Sequence, residues 1–140
     1  MAKAKMAQQL SFKLPNKVGQ LSVVGDLVGS AGVNIEAILA IESGANAEFR
    51  VVTGRSAKAK KALSALGVEI SEEDVILVRM ANKAGRLSKA AKRLADASVN
   101  VNRAWGTSSG GKSSTLILQT SDDKKALAAL GKAAPKKKKN

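Results

Sequence analysis

The stretch Asn16-Lys17-Val18-Gly19-Gln20-Leu21-Ser22 recurs as Asn82-Lys83-Ala84-Gly85-Arg86-Leu87-Ser88. The register holds without a gap to Val33-Asn34-Ile35 against Val99-Asn100-Val101, and over residues 16–35 and 82–101 eight of twenty positions are identical. Farther on, Lys60-Lys61-Ala62-Leu63-Ser64-Ala65-Leu66-Gly67 recurs as Lys124 to Gly131, with seven of eight positions identical. Two matched blocks in the same order mark a duplication, which organises the chain before local propensity is considered. One copy runs from residue 7 to 71 and the other from 74 to 131, joined by the link Glu72-Glu73. Residues 1–6 form a basic N-terminal segment, and 132–140 read as a disordered Lys-rich tail. A unit of ~60 residues buries little surface by itself, so the two units are expected to pack together.

Each copy reads alike. Leu10, Phe12 and Leu14 alternate as a half-buried strand does, and Ile76, Val78 and Met80 keep the same phase. A turn follows, then a helix. In the second copy Leu87, Ala90, Ala91, Leu94 and Ala97 form an apolar face, with Arg86, Lys89 and Arg93 on another. Residues 33–41 and 47–53 read as strands, as do 99–105 and 115–120, with Gly44-Ala45-Asn46 and Gly110-Gly111 at the turns. A second helix is expected behind Ser56 or Ser121 as N-cap, ending at Gly67 or Gly131. In the first copy Val68-Glu69-Ile70 reads as a short closing strand; the second has no evident last strand. The order β-α-β-β-α-β is ferredoxin-like: α+β, two tandem units, each an antiparallel sheet with helices on one face.

Composition narrows the chemistry. The 140 residues contain no Cys, His or Tyr, two Phe and one Trp. Disulfides, Cys/His zinc sites and His-dependent nucleophilic triads are thereby excluded. No cofactor or metal site is expected; Glu72, Glu73 and Asp74 read as a solvated turn. No apolar run approaches the ~20 residues of a membrane helix, and no secretory signal is evident, so a cytoplasmic protein without membrane contact is expected. The formal charge is +13, of which seven lysines lie in the first six and last nine residues. The tail either touches nucleic acid or aids solubility.

Strand, then Asn-Lys-x-Gly-x-Leu opening a helix, then Val-Asn-Ile or Val-Asn-Val entering the second strand, resembles the ACT domain. The whole chain resembles small proteins made of two ACT domains. The resemblance implies a regulatory module that binds an amino acid or similar small metabolite where two ACT units pair. It places the ligand at Asn16, Lys17, Val18, Gly19, Gln20 and Leu21, and at Asn82, Lys83, Ala84, Gly85, Arg86 and Leu87. The strand starts Asn34, Ile35, Glu36 and Asn100, Val101, Asn102 are implied to face the turn of a neighbouring unit. The family often has Pro before this Gly, where the chain carries Val18 and Ala84; Glu36 and Asn102 also differ.

The residues themselves support such a site. Gly19 and Gly85 let the backbone turn tightly, the following helix start offers free N–H groups to a carboxylate, and Asn16 and Asn82 carry both donor and acceptor. The structural alternative is that each Asn caps its helix and each Gly only makes the turn. A homodimer through sheet edges or helices is expected.

Gly106 to Ser113 matches G-x-x-x-x-G-K-S, but the residues after Lys112 read as a strand where a phosphate loop needs a helix. The rival function is nucleic-acid binding through the Arg86, Lys89, Arg93 face and the Lys tail. Trp105 is the candidate stacking residue, and it equally suits covering the sheet or an interface. Nothing points to an enzyme: no carboxylate pair is spaced for acid–base work and there is no His.

Overall fold

A computed structural model describes residues 3–108 and 110–131. The chain forms two compact units, one of Gln8–Glu73 and one of Asp74 onward together with the residues up to Ala7.

In the first unit, β1 (Lys3–Pro15) contributes its residues from Gln8. It is followed by α1 (Gln20–Ser30), β2 (Ile35–Ser43), β3 (Asn46–Thr53), α2 (Ser56–Leu63) and a 3-10 turn, Ser64–Leu66. The sheet order is β2-β3-β1, antiparallel throughout. Leu10 faces Val51, Phe12 faces Phe49 and Leu14 faces Ala47. The period-two pattern puts these side chains on the helix side, against Val24 and Val28 of α1 and Ala59 and Leu63 of α2. The Phe12 and Phe49 rings stack at 5.3 Å, adding about 0.5–1.5 kcal/mol to the area they bury.

The second unit contains β4 (Ser71–Ala81) from Asp74, α3 (Arg86–Asp96), β5 (Val101–Ser108), β6 (Ser113–Thr120) and α4 (Asp123–Leu130). Ile76, Val78, Met80, Leu116 and Leu118 face Ala90 and Leu94 of α3 and Ala126 and Leu130 of α4. The last strand that its own stretch lacks comes from the front of the chain. Lys3–Ala7, the first residues of β1, flank β4, giving the order β1-β4-β6-β5. Ala4 is 1% exposed in this core, and its amide donates to the carbonyl of Gly131 at 3.0 Å. From Lys3 on, the basic N-terminal segment is therefore strand: Ala4 points inward while Lys3 and Lys5 point out.

Several sequence expectations need correction. The first unit's closing strand is not Val68–Ile70. Those residues approach the core as irregular chain, and the strand starts at Ser71. Glu72 and Glu73, expected as a solvated link, lie within β4. Glu73 accepts from Gln9 Nε2 of β1 at 2.9 Å and Glu72 pairs with Lys60 of α2 at 3.1 Å, so each carboxylate has a partner. The N-caps are Arg55 and Asp122 rather than Ser56 and Ser121. Asp122 accepts from the Lys125 amide, whereas the Ser121 hydroxyl accepts from the Asn100 amide. On α3, Leu87 and Ala91 are exposed; only Ala90 and Leu94 are buried and Ala97 partly so. Ala90 and Leu94, four residues apart, lie one above the other on the inward face. The Lys-rich stretch 132–140 lies outside the described residues.

Among the described residues no helix is long and apolar enough to cross a membrane. One local strain is testable. Ser98 has φ 60°, where the first copy has Gly32 at φ 74°. A left-handed L-residue costs about 1–2 kcal/mol, offset by about 0.5–1 kcal/mol of glycine entropy. Ser98→Gly should raise stability by about 0.5 kcal/mol, read from the denaturant midpoint.

Candidate functional site at the turn before α3

The two glycine turns have the same construction. Gly19 (φ 91°) and Gly85 (φ 86°) are the N-cap residues of α1 and α3, and neither helix has a side-chain cap. A Cβ at either glycine would meet nothing within 4 Å. The left-handed backbone, rather than crowding, is what requires glycine here. The helical ladder begins with Val23 N to Gly19 O and Lys89 N to Gly85 O. Arg86 N already donates to Lys83 O at 3.3 Å; the other N–H groups of the turn before those ladder bonds are the ones a carboxylate can take.

Asn16 and Asn82 do not cap. Each fastens its turn to the hairpin of its own unit. Asn16 donates its amide to Ala45 O at 2.9 Å and its Nδ2 to Glu42 at 3.3 Å. Asn82 donates its amide to Lys112 O at 2.9 Å and its Nδ2 to Gly111 O at 3.0 Å. Gln20 likewise returns to the Pro15 carbonyl at 3.0 Å. Lys17, Lys83 and Ala84 are exposed. Large apolar side chains are left in the open as well: Val18 is fully exposed, and Leu21 and Leu87 are both 58% exposed. Apolar groups held out at matching positions of both copies are the feature of a contact surface.

Beside the second turn lies an open groove of about 290 Å³. Met80, Leu87 and Leu116 line it with Gly106, Thr107, Ser108, Ser114 and Thr115. Apolar walls with a few hydroxyls are the ordinary make-up of a small-molecule site. A Cβ on Gly106 would lie 3.5 Å from Thr115 O and 3.8 Å from Leu116 Cδ1. The missing side chain is thus part of the groove's space. Of these lining residues the sequence placed only Leu87 at the ligand; Met80 read as core and Gly106–Ser108 as part of the phosphate-loop match. Gly106 and the hydroxyls became visible through the β5–β6 register, Gly106 against Leu116 and Thr107 against Thr115.

The strand starts lie elsewhere. Val101 pairs with Thr120, while Ser108 and Ser114 pair at the other end of the hairpin, next to Ala81 and the turn. Seven residues of strand separate the two ends by about 23 Å. Within a unit the structure therefore does not bring Asn100, Val101 and Asn102 to the Asn82–Leu87 turn; the same register separates Asn34, Ile35 and Glu36 from Asn16–Leu21. Both strand starts carry a bulge. The register shifts between Ile35 and Ala37 and between Val101 and Arg103, which makes Glu36 and Asn102 the extra residues. Bulges of this kind re-aim a side chain. Asn102 accepts from Asn100 Nδ2 at 2.9 Å.

The phosphate-loop match is followed by β6 rather than a helix, and Lys112 is exposed on the hairpin. Trp105 is half-buried on β5, in register with Ile117. Among the described residues no group of three or more acidic or other metal-ligating side chains comes together.

The sequence pattern of the ACT domain pair family matches residues 5–132. No curated protein sequence matches the chain. Among solved structures, a protein from Bacteroides thetaiotaomicron is 24% identical with a TM-score of 0.82, covering 91% of this chain and 88% of that one. The ligand-free regulatory subunit of aspartate kinase from Thermus thermophilus is 15% identical, TM-score 0.68, covering 92% and 91%. Aspartate kinase from Synechocystis is 20% identical, TM-score 0.68, covering 99% of this chain but 28% of its own. At such identities these likenesses establish the fold.

Proposed function

The chain belongs to the ACT domain pair family, and from that premise we propose that it is a regulatory, non-catalytic module sensing an amino acid or similar small metabolite. The ligand would sit at the glycine turn of at least one unit, with the turn at Asn82–Leu87 the better furnished. The groove beside that turn is the observation that carries this reading. A ligand carboxylate would take the N–H groups at the start of α3. Its ammonium would take the Asn82 Oδ1, since Nδ2 is already committed to Gly111. Its side chain would lie along Met80, Leu87 and Leu116. Glu36 and Asn102, the extra residues of their bulges, are proposed to complete the turn of a neighbouring ACT unit. The edge strands suit a homodimer: β2 exposes Ile38 (37%) and Ile41 (48%), and β5 exposes Val101 (37%).

Thermal unfolding against each common L-amino acid at millimolar concentration tests this. A ligand of the folded state adds about 2.7 kcal/mol at a hundredfold excess over its Kd. One amino acid should raise the midpoint selectively, and Gly106→Val should abolish the rise while the protein still folds. Valine suits a strand, and its Cβ meets only ordinary van der Waals distances there. The other function to be compared is nucleic-acid binding through α3, where Lys89 and Arg93 are exposed. No shift with any amino acid, but a salt-sensitive one with short RNA or DNA, would replace the sensor with that reading.

A further inference from the structure

The duplication supplies an internal comparison on the sheet face away from the helices. Along β4, Ile76, Val78 and Met80 enter the core, so Leu77 and Arg79 turn to the opposite face. Lys3 and Lys5 do the same on either side of Ala4. There Lys3, Lys5, Leu77, Arg79 and Thr115 line a groove of about 160 Å³. That space suits a group about the size of benzene.

In the first unit Ser11 and Lys13, at the positions of Leu77 and Arg79, line a groove of about 300 Å³ together with Phe12, Val68, Glu69 and Ser71. Lys13 is the counterpart of Arg79, each three residues before the Asn that opens the turn. Their strand partners differ: Lys13 faces Glu48, whereas Arg79 faces Thr115. In the first unit a carboxylate stands across the strands from the cation: Glu48 lies opposite Lys13 and forms its ion pair with Arg50 at 3.4 Å. The Glu48 carboxyl is held below its usual range by a hydrogen bond from Ser43 and by the charges of Arg50 and Lys13. Glu69 lines the same groove. In the second unit both carboxylates are gone. Their place is taken by Thr115 and the closing-strand lysines, and none of Lys3, Lys5 and Arg79 is in an ion pair among the described residues.

We infer that this second-unit groove is a binding site for a compact organic dianion, a phosphate monoester or a dicarboxylate. Lys3, Lys5 and Arg79 would hold its charge, the Thr115 hydroxyl would donate to it, and its carbon skeleton would lie on Leu77. Three converging cations without an acid match two negative charges, and a guanidinium binds such oxyanions through paired hydrogen bonds. The site shares Thr115 with the proposed amino-acid groove, whereas Lys3, Lys5, Leu77 and Arg79 line this groove and not that one, so the Leu77 shift and the Arg79 and Lys5 variants report on this site separately.

NMR titration of the full chain with phenyl phosphate and, separately, with succinate tests the inference. Saturable shifts of the Leu77 and Thr115 amides are expected, with the tighter of the two probes identifying the source of the dianion. Arg79→Gln and Lys5→Gln should each weaken binding by about tenfold, with the spectrum otherwise native. Lys13→Gln should leave it unchanged. Thr115→Glu, which restores the carboxylate of the first unit, should abolish it. Shifts that rise linearly to about 10 mM, beyond the range of a dedicated site, would overturn the inference. So would shifts indifferent to Arg79→Gln. Saturation by a short single-stranded RNA but by neither small dianion would make the face a nucleic-acid surface instead.

Discussion

Removal of residues 1–7 is expected to unfold the second unit while leaving the first folded. The deleted segment is remote in sequence from what it supports. Its strand closes a sheet whose other members begin at Asp74, and Ala4 is buried among Ile76, Val78, Met80 and Leu130. Several backbone hydrogen bonds at about 1 kcal/mol each disappear, together with apolar burial at about 25 cal/mol per Å². The loss is on the order of 3–5 kcal/mol. A unit of this size carries about 3–9 kcal/mol in all. Hydrogen exchange gives the readout: amides of residues 76–80 and 114–118 should lose protection, and those around Phe12 and Phe49 should keep it. Ala4→Asp at full length should act the same way, because a carboxylate would enter an apolar core with no partner. Unchanged protection in β4 and β6 of the truncated chain would show that Lys3–Ala7 decorates the unit rather than closing it.

What the sequence revealed and what it hid have physical causes. The glycine turns were readable because a left-handed residue before a helix has few solutions, and both copies use the same one, at φ 91° and 86°. The alternation of Leu10, Phe12 and Leu14 was readable because a one-residue slip would turn the set to the other face. The closing strand of the second unit was hidden because a sheet neighbour need not be a chain neighbour; Lys3-Ala4-Lys5 offers a single small apolar residue and reads as a charged leader. The Glu72-Glu73 link was hidden because acidic residues suggest a turn until their partners, Gln9 and Lys60, are located. Of the candidate site, the turns were legible, whereas the groove depends on Gly106 and Thr107 reaching the turn through the strand register. The bulges at Glu36 and Asn102 carry no composition signal.

The matched block Lys60–Gly67 and Lys124–Gly131 misleads in a way that yields the second large prediction. The sequence aligns Leu63 with Leu127 and Leu66 with Leu130. The helices align otherwise. α2 starts at Ser56 and α4 at Asp123, each eight residues long, which matches Ala59 with Ala126 and Leu63 with Leu130. All four of those side chains are 0% exposed, while Leu66 and Leu127 are only partly buried at the margins of their cores. The identical block has slid by three residues, nearly one helical turn, and the slide keeps an apolar stripe on the inner face. Leu63→Ala and Leu130→Ala should therefore each cost about 3–4 kcal/mol, the range for a leucine lost from a closed core. Leu66→Ala and Leu127→Ala should each cost about 1–2 kcal/mol, as side chains that leave less of a cavity. Urea denaturation of the four variants decides it. Costs pairing Leu63 with Leu127 and Leu66 with Leu130 would mean that the sequence block, rather than the helix start, sets the packing. Costs pairing Leu63 with Leu130 would show that the duplicated helices kept their place against the sheet while the residues within them moved by a turn.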